Sequence, residues 1–202
     1  VRFLQAQGKK VFLDLKFHDI PNTVANAVSS AVALSVPVNE ALDARGEKTG
    51  KFAPLFMLTL HTQGGLEMMK AAAEAARKQA AALGVQPPLL VGVTVLTSEA
   101  PTTETPKIVL ARAKMAQEAG LDGVVCSVQE AAMLRKELGQ EFLLVTPGIR
   151  LANAEAGDQK RVDTPTGAVK SGSSFLVVGR PIVKAASPRQ AAENILQEMA
   201  KG

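Results

Sequence analysis

Short apolar runs alternate with alanine-rich stretches along almost the whole chain. Six of these runs are rich in β-branched or aromatic residues and end near turn-forming residues, a pattern that predicts strands. The predicted strands are Val11–Phe17, Phe56–His61, Leu89–Leu96, Gly123–Ser127, Phe142–Gly148 and Phe175–Gly179.

The stretches between the strands carry apolar residues at the i, i+3, i+4 spacing of a helix. In the first of them, Asn22 or Thr23 is the expected N-terminal cap, and in the last, Ser187 is the expected cap with Pro188 at the first helical position. The apolar positions of the first helix are Val24, Ala27, Val28, Ala31 and Val32, and further helices are predicted at Leu66–Ala82, Pro106–Ala119, Val128–Leu138 and Pro188–Met199.

Strand and helix therefore alternate at roughly 30 residues per pair, which predicts parallel strands covered by helices in an α/β fold. The sheet is either doubly wound or closed as a barrel. Residues 36–54, VPVNEALDARGEKTGKFAP, interrupt this rhythm and are expected to form a polar surface insertion. We expect residues 1–202 to form a single domain that contains this insertion.

The first predicted strand carries charges where a buried strand should be apolar. Alternation along a strand places Phe12, Asp14 and Lys16 on one face, and the apolar set Val11, Leu13, Leu15 and Phe17 on the face toward the helices. One interpretation is a buried ion pair that neutralises itself. The other is a functional site, because Asp19 adds a third charge beyond the strand and because α/β folds place their chemistry at the carboxyl ends of strands.

Composition narrows the possible ligands. The net charge of +4 comes from dispersed lysines and arginines, and with no Trp or Tyr and seven Phe there are few stacking surfaces for nucleic acid. A small anionic ligand fits better than nucleic acid. Two histidines and the single Cys126 offer few ligands for a transition-metal site. A chain with one cysteine fits a reducing cytoplasm. No apolar run approaches the ~20 residues of a membrane span, and we expect no signal peptide.

The segment DLKFHDIPNT, residues 14–23, closely resembles the signature of orotidine 5′-phosphate decarboxylases. Further similar segments follow in the family's order over nearly the whole chain outside residues 36–54. They are HTQGG at 61–65, VTVLTS at 93–98, LDGVVCSVQE at 121–130, LVTPGIR at 144–150, AGDQKR at 156–161 and VVGRPI at 177–182.

The resemblance implies a (β/α)8 barrel of the TIM type that converts orotidine 5′-phosphate to uridine 5′-phosphate without metal or organic cofactor. It also implies that Lys16 protonates the ring carbon, that Asp14 lies beside the departing carboxylate, and that Asp19 reaches the partner's site across a homodimer. The other site residues carried over are Ile20 and Thr23 in the same intersubunit loop, Thr97 near the pyrimidine, and Arg150, Gln159, Gly179 and Arg180 at the phosphate.

The resemblance also implies a gap at the start of the chain. Six strands are predicted here, and the signature strand is the third of the family's barrel, so the first two strand–helix pairs have no counterpart. Those pairs normally carry an aspartate that binds the ribose and a lysine that completes the charge array. We therefore expect residues 1–202 alone to be poorly soluble or loosely packed, and inactive.

Two alternatives remain open. One is a related barrel lyase that acts on sugar phosphates with magnesium, which shares a DxKxxD-like strand; HDIPNT and GDQKR favour the decarboxylase instead. The other is a non-catalytic nucleotide-phosphate-binding or dimerising module.

Overall fold

The computed structural model of the chain describes residues 1–37, 52–150 and 163–202. The chain forms two compact units, Val1–Gly92 with Glu118–Asp122, and Val93–Gln117 with Gly123–Gly202. Most of the predicted insertion at 36–54 lies outside the described residues.

The sheet of the first unit begins with strands β1 (Val11–Phe17) and β2 (Leu55–His61), which pair in parallel. β2 is apolar and buries the side chains of Met57, Leu58 and Leu60. Strand β3 (Leu89–Val93, whose last residue belongs to the second unit) follows, and its start is fixed because the Leu90 N–H donates to the Asp122 carboxylate at 2.7 Å. Parallel pairing places the carboxyl ends of β1 and β2 at the same edge.

Helices α1 (Arg2–Ala6), α2 (Pro21–Val32) and α3 (Gly65–Leu83) belong to the same unit. Apolar residues at helical spacing on α2 and small or flexible residues on α3 are buried, and the two helices pack against each other. The buried residues are Val24, Val28, Ala31 and Val32 on α2, and Met68, Met69, Ala72, Ala73, Ala76 and Ala80 on α3.

The described part of the second unit contains three short parallel strands, β4 (Gly123–Val125), β5 (Leu143–Thr146) and β6 (Phe175–Leu176), paired in that order. Its helices are α4 (Thr105–Glu118, whose last residue belongs to the first unit), α5 (Val128–Leu138), α6 (Pro165–Lys170), α7 (Arg180–Val183) and α8 (Pro188–Met199).

Three side chains hold the strand–helix connections of this unit. The hydroxyl of Ser127 caps α5, and the Glu130 carboxylate accepts the Ser127 N–H at 2.7 Å, a capping box that fixes the turn after β4. The Arg135 guanidinium donates to the carbonyls of Gly139, Phe142 and Gly172 and so ties the end of α5 to the residues that precede β5 and β6. Arginine suits this role because its donors form a rigid fork.

The predicted order of strands and helices is confirmed, but several ends are wrong. α2 begins at Pro21 with Ile20 as its N-cap, not at a cap formed by Asn22 or Thr23, because a proline at the first position is pre-set for the helix. β3 and β6 end at Val93 and Leu176, short of the predicted Leu96 and Gly179, since the backbone leaves the ladder there and enters loops. Ser187 and Pro188 do begin α8, although the Ser187 side chain makes no capping hydrogen bond.

Candidate active site

The charged residues of β1 form the centre of the candidate site in the first unit. Lys16 Nζ donates to Asp14 Oδ2 at 2.5 Å, and the two side chains are 39% and 48% exposed, respectively. The pair is therefore not the fully buried, self-neutralising ion pair that was the first of the two interpretations of the sequence. It is partly open to solvent at the carboxyl end of β1, where a ligand can reach it.

A bulge in β1 brings these side chains together. Leu13 pairs with Leu58 and Phe17 with Leu60, so β1 advances four residues while β2 advances two. Lys16 has φ +50° in this stretch, in the left-handed region that residues with a Cβ seldom occupy. The expected strict alternation is wrong here, and Leu15, expected to face the helices, is 48% exposed because the backbone leaves the regular pleat.

Thr59, on β2 opposite the bulge, is the site residue that the sequence analysis missed. Its hydroxyl accepts the backbone N–H of Lys16 at 2.8 Å and donates to Asp14 Oδ1 at 2.8 Å. Its side chain is completely buried. A polar residue near the end of the otherwise apolar strand LFMLTLH was the available signal, but threonine is also an ordinary strand former.

The loop after β1 carries Asp19 and Ile20, whereas Thr23, expected in the same loop, lies in the first turn of α2. Asp19 Oδ1 accepts the Ile20 N–H at 2.7 Å, which fixes the chain as it enters α2. Ile20 is 66% exposed, and Asp19 and Thr23 are also exposed. The structure thus brings Asp14 and Lys16 into direct contact, while these three residues present their side chains to solvent.

Two histidine rings lie at the same edge of the sheet. His18 follows β1 and His61 ends β2, with ring centroids 5.6 Å apart and planes tilted by 45°. Among residues 1–37, 52–150 and 163–202, no group of three histidine, cysteine, aspartate or glutamate side chains is arranged to hold a metal ion. In the same ranges, no helix has the length and apolarity needed to cross a membrane.

In the second unit, two predicted residues lie in the loops after β3 and β5. Thr97 is 8% exposed, in a loop whose start is held by Thr94 Oγ1, which donates to the Val125 carbonyl at 2.8 Å. Arg150 is 9% exposed, and its Nη1 donates to the carbonyl of Ile149 at 2.7 Å. Gln159 lies outside the described residues.

Gly179 and Arg180 follow β6, where Gly179 is the N-cap of α7. A Cβ added at Gly179 would meet no atom within 4 Å, so the space beside its backbone is open. Because β4, β5 and β6 are parallel, Arg150 and Gly179 lie beyond the same edge of this sheet, the carboxyl edge that binds ligands in α/β folds.

The Asp14–Lys16 pair suits chemistry at a centre that becomes negative. Lys16 Nζ donates to the Asp14 carboxylate, so the lysine head group is held in place before any ligand arrives. A fixed ammonium can stabilise a developing carbanion without reorganisation and can donate a proton to it. The arrangement can therefore perform proton transfer to carbon.

Comparison with known proteins identifies the family. The family model described as orotidine 5′-phosphate decarboxylase / HUMPS family matches residues 1–195. The chain is 45% identical over 205 residues to the orotidine 5′-phosphate decarboxylase of Nostoc sp., which covers 97% of this chain and 78% of the relative. It is 49% identical over 196 residues to that of Hydrogenovibrio crunogenus, covering 93% and 73%.

Solved structures of orotidine 5′-phosphate decarboxylases also match the chain. The orotidine 5′-phosphate decarboxylase from Lactobacillus acidophilus matches with a TM-score of 0.77 and 37% identity, covering 98% of this chain and 79% of the other. The enzyme from Pyrococcus horikoshii, at 21% identity and a TM-score of 0.69, supports the fold. The α/β barrel class predicted from the sequence is thereby confirmed, with six strand–helix pairs of that barrel in the described residues. The chain belongs to the orotidine 5′-phosphate decarboxylase / HUMPS family.

Proposed function

We propose that the protein decarboxylates orotidine 5′-phosphate to uridine 5′-phosphate in pyrimidine biosynthesis, with no metal or organic cofactor. The observation that carries this proposal is the Asp14–Lys16 contact at the carboxyl end of β1, within a chain 45% identical to a relative named for this activity. The single cysteine, Cys126, is buried, and a chain with one cysteine fits a cytoplasmic enzyme.

The chemistry follows from the positions of the two charges. The bond between the ring and its carboxylate breaks, carbon dioxide leaves, and the electron pair remains on the ring carbon. Lys16 Nζ then donates a proton to that carbon and recovers one from solvent. Asp14 anchors the ammonium through the 2.5 Å contact. By the sequence resemblance, Asp14 also lies beside the departing carboxylate. The main contribution is electrostatic, because a preorganised cation stabilises the transition-state charge.

The sequence resemblance guides the proposal for the non-reacting end of the substrate. We assign the phosphate to Arg150, Arg180 and the open backbone at Gly179, and the pyrimidine to Thr97. Gln159, which lies outside the described residues, is assigned to the phosphate by the resemblance alone. Guanidinium groups bind phosphate through paired, charged hydrogen bonds. Binding energy from the phosphate can then lower the barrier at the ring.

The substitution Arg180→Ala should raise the KM for orotidine 5′-phosphate about 10- to 100-fold, as expected for a lost hydrogen bond to a charged group. Steady-state kinetics on the natural full-length protein measures this. Arg189→Ala is the matched control, because Arg189 is exposed on α8 and pairs with Glu193 at 2.9 Å. If the decarboxylation of phosphate-free orotidine falls by the same factor, Arg180 does not act on the phosphate.

The experiment that tests the function is conversion of orotidine 5′-phosphate by the natural full-length protein in excess chelator. We expect carbon dioxide release at an undiminished rate, because Lys16 and Asp14 act without a metal. A protein that needs added magnesium and acts on a sugar phosphate would favour the alternative lyase. Binding of uridine 5′-phosphate without turnover would favour the non-catalytic module.

We further propose a homodimer in which Asp19, Ile20 and Thr23 reach the partner's ligand. The support is their exposure: Ile20 is a large apolar residue with 66% of its surface open, next to two exposed polar residues that the sequence resemblance assigns to the ligand. An exposed apolar side chain in such a loop suits contact with a second copy.

A further inference from the structure

We infer that Thr59 is a positioning residue for the reaction, which holds Asp14 and Lys16 in their working geometry. This inference rests on the proposed function and assigns a role to a residue outside the predicted site. It follows from three contacts in the first unit and from the bulge of β1 that they bridge.

The first contact replaces a missing ladder bond. In the bulge, β1 has two more residues than β2 between the paired positions Leu13–Leu58 and Phe17–Leu60. A bulge leaves backbone groups without their regular partners on the neighbouring strand. The Lys16 N–H instead donates to Thr59 Oγ1 at 2.8 Å. A side chain of β2 thus supplies an acceptor that the ladder lacks.

The second contact orients the carboxylate. Having accepted from Lys16, the Thr59 hydroxyl donates its own proton to Asp14 Oδ1 at 2.8 Å. The other carboxylate oxygen, Oδ2, accepts from Lys16 Nζ at 2.5 Å. The hydroxyl, the carboxylate and the lysine therefore close a ring of hydrogen bonds in which each group has one defined orientation.

The ring of hydrogen bonds also holds the backbone of Lys16 in a strained conformation. Lys16 has φ +50°, a strained conformation for a residue with a Cβ, which persists only where the surrounding structure holds it. Thr59 is completely buried, and a β-branched side chain has few rotamers, so its hydroxyl is a fixed point. Thr59 can therefore hold the strained residue that carries the proton donor.

The test compares Thr59→Val, which keeps the shape and removes the hydroxyl, with Thr59→Ser, which keeps the hydroxyl. In the natural full-length protein we expect Thr59→Val to lower kcat about 10- to 100-fold, because misplacement of a reacting group by about 1 Å has effects of that size. The KM for orotidine 5′-phosphate and the affinity for uridine 5′-phosphate should change less than threefold. Thr59→Ser should recover most of the kcat.

Thr146→Val is the matched control. Thr146 is another completely buried strand threonine, and its hydroxyl donates to Ser173 Oγ at 3.0 Å in the second unit. Loss of the Thr146 hydroxyl should lower the free energy of unfolding without the selective fall in kcat expected for Thr59→Val. A Thr59→Val enzyme with kcat within twofold of wild type, or with a KM that rises as much as kcat falls, would overturn the inference. If the valine variant does not fold, Thr59→Ala takes its place in the same comparisons.

A second measurement does not depend on activity. Urea unfolding of Thr59→Val, Asp14→Ala and the double variant forms a mutant cycle. We expect Thr59→Val to lower the free energy of unfolding by less when Asp14 is already alanine, because the Thr59 hydroxyl has then already lost one of its two hydrogen bonds. Strict additivity would overturn the Thr59–Asp14 coupling. A wild-type protein without decarboxylase activity would refute the proposed function and leave this coupling to be decided by the cycle.

Discussion

Lys16→Ala is expected to lower kcat at least ~10³-fold while uridine 5′-phosphate binds with nearly wild-type affinity. The substitution removes both the proton donor and the cation that stabilises the developing carbanion, and each effect alone is worth 10²-fold or more. The product has no charge at the ring carbon, so its binding depends little on the ammonium. Asp14 would also lose the contact that it makes at 2.5 Å.

Steady-state kinetics and product titration of the natural full-length protein measure these two quantities. Lys10→Ala is the control: Lys10 precedes the first residue of β1, whereas Lys16 lies near its carboxyl end, and the Lys10 Nζ lies 5.0 Å from the centre of the Phe56 ring. The control should keep its kcat. A Lys16→Ala enzyme that retains more than a few per cent of the wild-type rate would refute the assignment of Lys16.

Mixing two inactive variants, Asp19→Ala and Lys16→Ala, should restore turnover. In a symmetric dimer whose sites borrow Asp19 from the partner, a mixed dimer holds one site with Lys16 from the first chain and Asp19 from the second. Random exchange makes half of the dimers mixed, each with one intact site, so about a quarter of the wild-type rate is expected.

Lys16→Ala mixed with Asp14→Ala is the control for this experiment. Asp14 and Lys16 contact each other within one chain, so no mixed dimer of these two variants can assemble an intact site. The mixture should stay inactive. Recovery in the control, or no recovery with Asp19→Ala despite demonstrated subunit exchange, would contradict a shared site.

Much of the fold follows from local pattern. β1, α5 and α8 lie where apolar periodicity and end signals placed them, at Val11–Phe17, Val128–Leu138 and Pro188–Met199. The short helices α1, α6 and α7 were not predicted, because pieces of four to six residues contain too few turns to show a helical period. The ends of β3 and β6 were missed because their apolar residues continue into loops.

The candidate site was predictable only in part. Asp14 and Lys16 were identifiable because charge in a strand is costly unless it is paired or used. Thr59 was not, since its role depends on a register shift between strands that are 45 residues apart along the chain, and no local pattern encodes that shift. The predicted role of Arg150 at the phosphate remains a prediction, and the structure places its Nη1 on the carbonyl of Ile149.

The most direct test of the account is the decarboxylation assay carried out in deuterium oxide with the natural full-length protein and excess chelator. The ammonium of Lys16 exchanges its protons with solvent and donates one to the ring carbon that has lost carbon dioxide. Mass and NMR analysis of the product should show uridine 5′-phosphate with one deuterium at that carbon. No carbon dioxide release, or a product without deuterium at that carbon, would contradict the central claim.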